Sequence, residues 1–266
     1  MSEADAVARE KVRSILTGHK SLIVGIANDQ SIAYGCAEAF RTSGADLAIT
    51  WLNDKARPHV EPLGDQLGAS IMAPLNVETP GEMEALFDEI RDRWGRLDSL
   101  VHSIAFAPKE DLQGGLLDCS AAGFGRAIDV SCHSFIRMAK LAAPLMTDGG
   151  TMFAMSYLGA NRVVTNYNVM GPVKAALEAV CRYLAYELGP QNIRVHAISP
   201  GPLKTRAASG IKDFELLLNE AVAHSPLHEL VDIEDVGFAC AYLATKFARR
   251  ITGGTIYIDG GANIVV

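Results

Sequence analysis

Tyr167 and Lys174 lie seven positions apart, so a helix running through both would set a phenol and an ammonium group almost two turns apart on one side. An ammonium beside a phenol favours the phenolate and lowers the tyrosine pKa. The same ammonium can donate to ribose hydroxyls. One lysine could thus hold a nicotinamide nucleotide and tune an acid next to it. Taken alone, the pair fits equally well a core tyrosine and a solvated lysine on an ordinary amphipathic helix. The start of the chain tips the balance towards chemistry. There the apolar run SLIVGIA (21–27) leads into a turn containing Gly25, Ser31, Ile32 and Gly35. A dinucleotide site needs a tight turn at this point, free backbone N–H groups, and a helix N-terminus aimed at the pyrophosphate. Gly25 supplies the turn, Ser31 a hydroxyl at the helix start, and Gly35 close helix–sheet packing. The spacing departs from G-x-G-x-x-G, and glycines that merely permit a turn are the alternative.

Other nucleotide-binding candidates follow the later strands. After the second stands Leu52-Asn53-Asp54-Lys55, where Asp54 could grip a ribose, or Lys55 with Arg57 could favour a 2′-phosphate. The reading leans to NADH, with NADPH as the alternative. After the third strand, Asn76 is placed to meet an adenine edge and Val77 its face. The fourth ends in His102-Ser103-Ile104-Ala105, whose small residues let backbone approach a cofactor; His102 reads as a packed or capped histidine rather than a catalytic one.

Apolar bursts alternate with helix-period stretches throughout the 266 residues. Strands are expected at 21–27, 46–51, 71–77, 97–105, 151–158, 193–199 and 255–261. Helices are expected at 31–44, from a Thr79-Pro80-Gly81-Glu82 capping box onward, at 120–146 and at 166–188. Strands separated by helices mean βαβ crossovers and a buried parallel sheet. The expected fold is therefore α/β: one Rossmann-type, doubly wound, seven-stranded parallel sheet with helices on both faces. An N-terminal extension is expected over 1–20 and a catalytic domain over 21–266, with a substrate-binding segment or lid at about 200–231. Hydrophobic residues make up 49% and charged residues 21%, which excludes disorder; 24 Lys+Arg against 31 Asp+Glu, net −7, argues against wrapping nucleic acid. No apolar run is long enough for a membrane span, and the start lacks the apolar core of a secretory signal. Five scattered cysteines without a C-x-x-C pair suggest a reducing, cytoplasmic setting and no structural zinc.

The G-x5-S-I-A-x-G turn, the Y-x6-K pair, and the closing I-S-P-G-P-L-K-T and D-G-G elements resemble the short-chain dehydrogenase/reductase superfamily. Tyr157 ten positions before Tyr167, S-I-A-F-A (103–107) and R-A-A-S-G-I-K-D-F (206–214) resemble the divergent enoyl-acyl-carrier-protein reductases within it. The similarity runs from about Ser21 to Gly261. It implies Tyr167 as the catalytic hydroxyl, Lys174 as the ribose-binding lysine, and Tyr157 as a pocket residue near the acyl thioester. Cofactor contacts are implied at Gly25, Ser31, Ile32 and Val77, and at Ile104, Leu203 and Thr205. Relatives often carry glutamine in place of Leu52 and aspartate in place of Asn76; both positions bear on the choice between NADH and NADPH.

Ketone-reducing relatives place a serine about a dozen residues before the tyrosine, where this chain has Ala154 and Met155, with Ser156 adjacent. The expected reaction is hydride transfer to the β-carbon of a trans-2-enoyl thioester in fatty-acid elongation. A β-ketoacyl or other carbonyl reductase and a non-catalytic nicotinamide-binding sensor are the alternatives. An acyl slot is expected from Ala105, Phe106, Ala107 and Met170. Pro202, Ala207, Ala208, Ile211 and Phe214 could also line it. Lys204, Arg206 and Lys212 could dock an acidic acyl-carrier protein or simply be solvated. The resemblance also implies a homotetramer.

Overall fold

Seven short apolar runs become seven strands: β1 Lys20–Val24, β2 Asp46–Trp51, β3 Ile71–Pro74, β4 Ser99–His102, β5 Gly150–Met155, β6 Ile193–Pro200 and β7 Thr255–Ile258. They form one all-parallel sheet in the order β3-β2-β1-β4-β5-β6-β7. The computed structural model describes residues 14–205 and 214–265. The helices of the described residues are α1 Ile32–Thr42, α2 Arg57–Leu67, α3 Glu82–Trp94, the short α4 Lys109–Gln113, α5 Ala121–Ile128, α6 Ser134–Ala142, α7 Met170–Leu188, α8 Phe214–His224 and α9 Ile233–Ala244. None is long and apolar enough to cross a membrane.

Side chains alternate across the sheet. Leu22 and Val24 of β1 enter one core with Phe87 of α3, Phe135 of α6 and Leu177 of α7. Ile23 enters the other with Phe40 of α1, Val60 of α2 and Val236 of α9. Both faces are covered, as expected of a doubly wound sheet. Leu16, inside the expected N-terminal extension, is fully buried in the second core. The strand order reverses between β1 and β4, and such a switch point opens a crevice at the carboxyl ends of the strands.

Five expected strands stop short, at Val24, Pro74, His102, Met155 and Ile258. The residues beyond them leave the sheet at this same edge. Three further differences have local causes. The Thr79 capping box does not form, because Gly81 takes a left-handed φ of 89° and becomes the residue before α3. The Glu82 carboxylate instead accepts from the Asn76 N–H at 2.6 Å. Helix α2 gave no readable signal because Pro58 and Pro62 interrupt its sequence, yet it closes on Gly68 in a left-handed cap. Gly35 does not pack helix against sheet. Its hydrogens face α9, where a Cβ would lie 2.2 Å from the Ile233 carbonyl oxygen, and Gly237 would meet the Gly35 oxygen at the same 2.2 Å. Helices α1 and α9 therefore touch backbone to backbone.

The expected single helix over 120–146 is α5 and α6 joined by a π-helical turn at Asp129–His133. Such turns are frequent at functional sites. Here the Ser131 hydroxyl accepts from the Phe106 N–H at 2.9 Å and donates to the Phe106 carbonyl at 3.0 Å. The turn thereby fixes the loop that leaves β4.

Candidate active site

A cleft of about 640 Å³ opens at the carboxyl ends of β4, β5 and β6. From the β4 loop, Ser103, Ile104, Ala105, Phe106 and Ala107 line it. Tyr157, Tyr167, Met170 and Lys174 form the middle, with Ile32 at the start of α1. Leu203, Thr205, Pro202 and Phe214 close the far side. Gly25 and Ser31 shape the turn at its end. Gly25 holds a φ of 108°, and a Cβ there would lie 2.1 Å from the Ser103 carbonyl oxygen, so the two loops approach as bare backbone. Ser31 precedes α1 without capping it. Its hydroxyl accepts from the N–H groups of Ala27 and Asn28 at 3.0 and 3.1 Å, which closes the turn instead.

Asn76 and Val77 lie outside the cleft lining. The Asn76 amide oxygen accepts from the Glu78 N–H at 3.0 Å, and Val77 is buried with its carbonyl held by Arg137 at 3.0 Å. Ala207, Ala208, Ile211, Arg206 and Lys212 lie outside the described residues. Lys204 is paired with Glu215 at 3.1 Å. His102 is fully buried, with Nε2 2.7 Å from the Ser134 hydroxyl, and burial holds its pKa down at about 3.

The two tyrosine rings meet edge to face at 4.9 Å. Tyr167 is not on the helix that carries Lys174, which corrects the expectation drawn from their spacing. Asn166 and Asn168 take φ values of 64° and 43°, conformations a right-handed helix cannot hold. The helix begins only at Met170, with Pro172 in its first turn. Tyr167 therefore sits in the turn ahead of α7, its ring pressed on Gly159, where a Cβ would lie 2.3 Å away.

The expected electrostatics are also overturned. Burial pushes the Tyr167 phenol well above its ordinary range, and neighbouring Tyr157 adds to the rise. Tyr157 is itself raised to about 12 by burial. Lys174 is lowered to about 8, again chiefly by burial, against the opposing influence of Cys132, Cys181 and Glu178. Desolvation thus governs the phenol, and Tyr167 is a neutral donor at physiological pH. Lys174 Nζ donates to the Met155 carbonyl at 2.6 Å. The Ser156 hydroxyl donates to the buried Glu178 carboxylate at 2.7 Å, so it is already committed.

Several lining groups gave no sequence signal. Lys109, Leu112 and Gln113 lie on α4, whose five residues are too few to show periodicity. The Met155 carbonyl is backbone, which any residue type would supply. Pro200 and Gly201 also line the cleft, and the P-G-P run could have pointed to them.

The family described as enoyl-(acyl carrier protein) reductase matches residues 25–263. The chain belongs to the enoyl-acyl-carrier-protein reductase family. Among its relatives, the NADH enoyl-acyl-carrier-protein reductase of a Nostoc species is 45% identical over 94% of this chain and 98% of its own. Reductase 2 of Rhizobium meliloti is 43% identical over 95% and 94%. The crystal structure of the Anaplasma phagocytophilum reductase in complex with NAD superposes with a TM-score of 0.91 at 42% identity, covering 95% of this chain and 96% of that one. The Bacillus cereus reductase, solved with NADP+ and an indole naphthyridinone, gives 0.93 at 38% identity, covering 95% and 99%. The expected fold, the seven-stranded parallel sheet in one domain, is that of these reductases.

Proposed function

We propose that this reductase uses Tyr167 and Lys174 to reduce the C=C bond of a trans-2-enoyl thioester carried on acyl-carrier protein, with NADH as reductant. The observation that carries the residue assignment is a buried phenol, held protonated, on the wall of an apolar cleft beside a buried lysine. The cleft also fits a dinucleotide: Gly25 lets the turn after β1 pack directly on the backbone of Ser103, which lines the cleft, so both loops approach it as bare backbone. Gly25, Ser31 and Ile32 would hold the pyrophosphate end, Asn76 and Val77 the adenine, and Ser103, Ile104, Leu203 and Thr205 the nicotinamide half. When bound, the nicotinamide supplies hydride for the substrate β-carbon.

The protein's part is to receive the charge that follows. Hydride addition at the β-carbon drives negative charge onto the thioester oxygen as an enolate, to which the Tyr167 O–H donates a hydrogen bond, and uptake of a proton at the α-carbon completes the saturated chain. A hydrogen bond that strengthens as charge develops lowers the barrier, whereas uniform binding would not. Lys174, anchored through Met155, donates to ribose hydroxyls. Tyr157 packs against Tyr167 and closes the cleft beside the thioester. Ala105, Phe106, Ala107, Met170 and Phe214, which line the cleft, form the acyl slot. Ser156, tied to Glu178, is not free to share a ketone oxygen, which supports the enoyl reaction over the carbonyl one. Arg57 is held by Glu61 at 2.8 Å, which favours NADH over a 2′-phosphate.

A homotetramer is supported by large exposed apolar side chains on α7 and α9, Tyr183, Tyr186, Phe238 and Tyr242 among them. Light scattering would report its mass. Five free cysteines accord with a cytoplasmic setting. The deciding assay mixes the protein with NADH or NADPH and trans-2-enoyl thioesters of several lengths, following loss of reduced nicotinamide. Turnover with NADH is expected, and its absence with every combination would reject the reaction.

A further inference from the structure

Resting on that reading of Tyr157, Tyr167 and Lys174, we infer that Glu178 is the positioning residue of the site: its carboxylate clasps both ends of segment 156–161 and so fixes the three groups relative to one another. Glu178 lies one turn beyond Lys174 on α7 and is 4% exposed. One carboxylate oxygen accepts from the Ser156 hydroxyl at 2.7 Å; the other accepts from the Asn161 side-chain amide at 2.9 Å. The same amide donates to the Tyr257 hydroxyl of β7 at 3.0 Å, so the clasp reaches across to the last strand.

Every group assigned to the reaction lies on this segment or touches it or the residue before it. Lys174 Nζ donates to the carbonyl of Met155, the residue before Ser156, at 2.6 Å. Tyr157 is the residue after Ser156. Gly159, within the 3-10 turn Leu158–Ala160, is the bed on which the Tyr167 ring lies. One helix thus holds two successive residues, with an ammonium on the Met155 carbonyl and, a turn further on, a carboxylate on the Ser156 hydroxyl. A buried carboxylate is costly unless its bonds are made, and loss of one partner leaves the others misplaced. Glu178 also acts through its charge. The groups facing Lys174 are Glu178 and Cys181 from α7, Cys132 from the π-helical turn, and His102 from β4. Cys132, Cys181 and Glu178 all help the ammonium keep its proton against burial, and because burial raises the pKa of both thiols and so keeps them protonated, the Glu178 carboxylate is the contributor that carries charge.

The test compares Glu178→Gln, Glu178→Asp, Ser156→Ala and Asn161→Ala, with Tyr167→Phe as reference. Glu178→Gln is expected to lower kcat by about tenfold or more, as for loss of a hydrogen bond to a charged group, with a smaller change in KM for NADH. It should also move the alkaline decline in NADH affinity to lower pH. Glu178→Asp, which keeps the charge but shortens the reach, should lose kcat and retain the pH profile. Ser156→Ala and Asn161→Ala should each lose part of kcat, and neither should add its full loss to Glu178→Gln. A role limited to folding would lower Tm and leave the pH profile of the folded fraction in place. Glu178→Gln within twofold of the parent in kcat, with Tyr167→Phe inactive, overturns the inference. Full activity in Tyr167→Phe would instead overturn the site reading beneath it. Should Glu178→Gln fail to fold, the exposed Asn161→Ala decides: reduced kcat at unchanged Tm supports the clasp, and unchanged kcat rejects it.

Discussion

The phenol of Tyr167 and the ammonium of Lys174 are both governed by desolvation, and each shift has a consequence that can be measured. Because Tyr167 stays protonated, it can donate to developing charge without first recovering a proton. Tyr167→Phe removes the donor and leaves the ring on Gly159. Loss of one oxyanion-type donor typically costs roughly 100- to 1000-fold in kcat, and a fall on that scale with KM for NADH little changed is expected by steady-state kinetics. Lys174 shows the opposite sign. With its pKa down at about 8, it loses its proton as pH rises through that value, and with it the charge on the donor proposed for the ribose. NADH affinity, read by fluorescence titration, should therefore weaken above about pH 8. In Lys174→Met it should be weak and flat with pH. A parent enzyme whose affinity stayed constant across that range would contradict the role given to this lysine.

The elements that bear these residues were legible where one force dominates. Continuous apolar runs bounded by helices gave all seven strands and the covered parallel sheet, because burial on both faces favours apolar side chains along each strand. Legibility failed where backbone conformation overrode periodicity. The seven-residue spacing of Tyr167 and Lys174 looked like helix, yet Asn166 and Asn168 turn the chain into the left-handed region and leave Tyr167 ahead of α7. The signal was there in the Asn-Tyr-Asn triplet and in Pro172, since asparagine tolerates that region and proline suits a first helical turn. Gly159 was unreadable for a different reason: its partner, the Tyr167 ring, arrives from a separate turn. Gly159→Ala forces a Cβ into that ring, so the ring must shift. We expect kcat to fall at least tenfold, as for misplacement of a catalytic group by about 1 Å, while NADH still binds. Retained kcat in that variant would mean that the ring has freedom the packing does not suggest.

Across the whole molecule, the sheet buries two histidines without charge. His196 is fully buried in β6, stacked on Phe153 at 5.6 Å, with neither ring nitrogen bonded to a protein group, and its pKa is lowered to about 4. A folded-state pKa below the unfolded one gives stability that is present above about 6.5 and is lost as pH falls towards 4. The full loss is on the order of 3 kcal/mol for such a shift, and His102 extends the trend lower. Thermal melts should show Tm dropping between pH 7 and pH 5, ~2 units spanning the onset. His196→Phe, which keeps a ring on Phe153, should flatten that drop. The backbone contact between α1 and α9 at Gly35 and Gly237 shapes the molecule on a longer view. It holds no rotamer that could absorb a new methyl group, so drift there must push α9 apart from α1, the helix whose first residue, Ile32, lines the cleft. Sequence change in lineages of this enzyme should accordingly be uneven. The acyl end has side chains to trade, while this joint has none and must be inherited unaltered or lost together with nucleotide affinity.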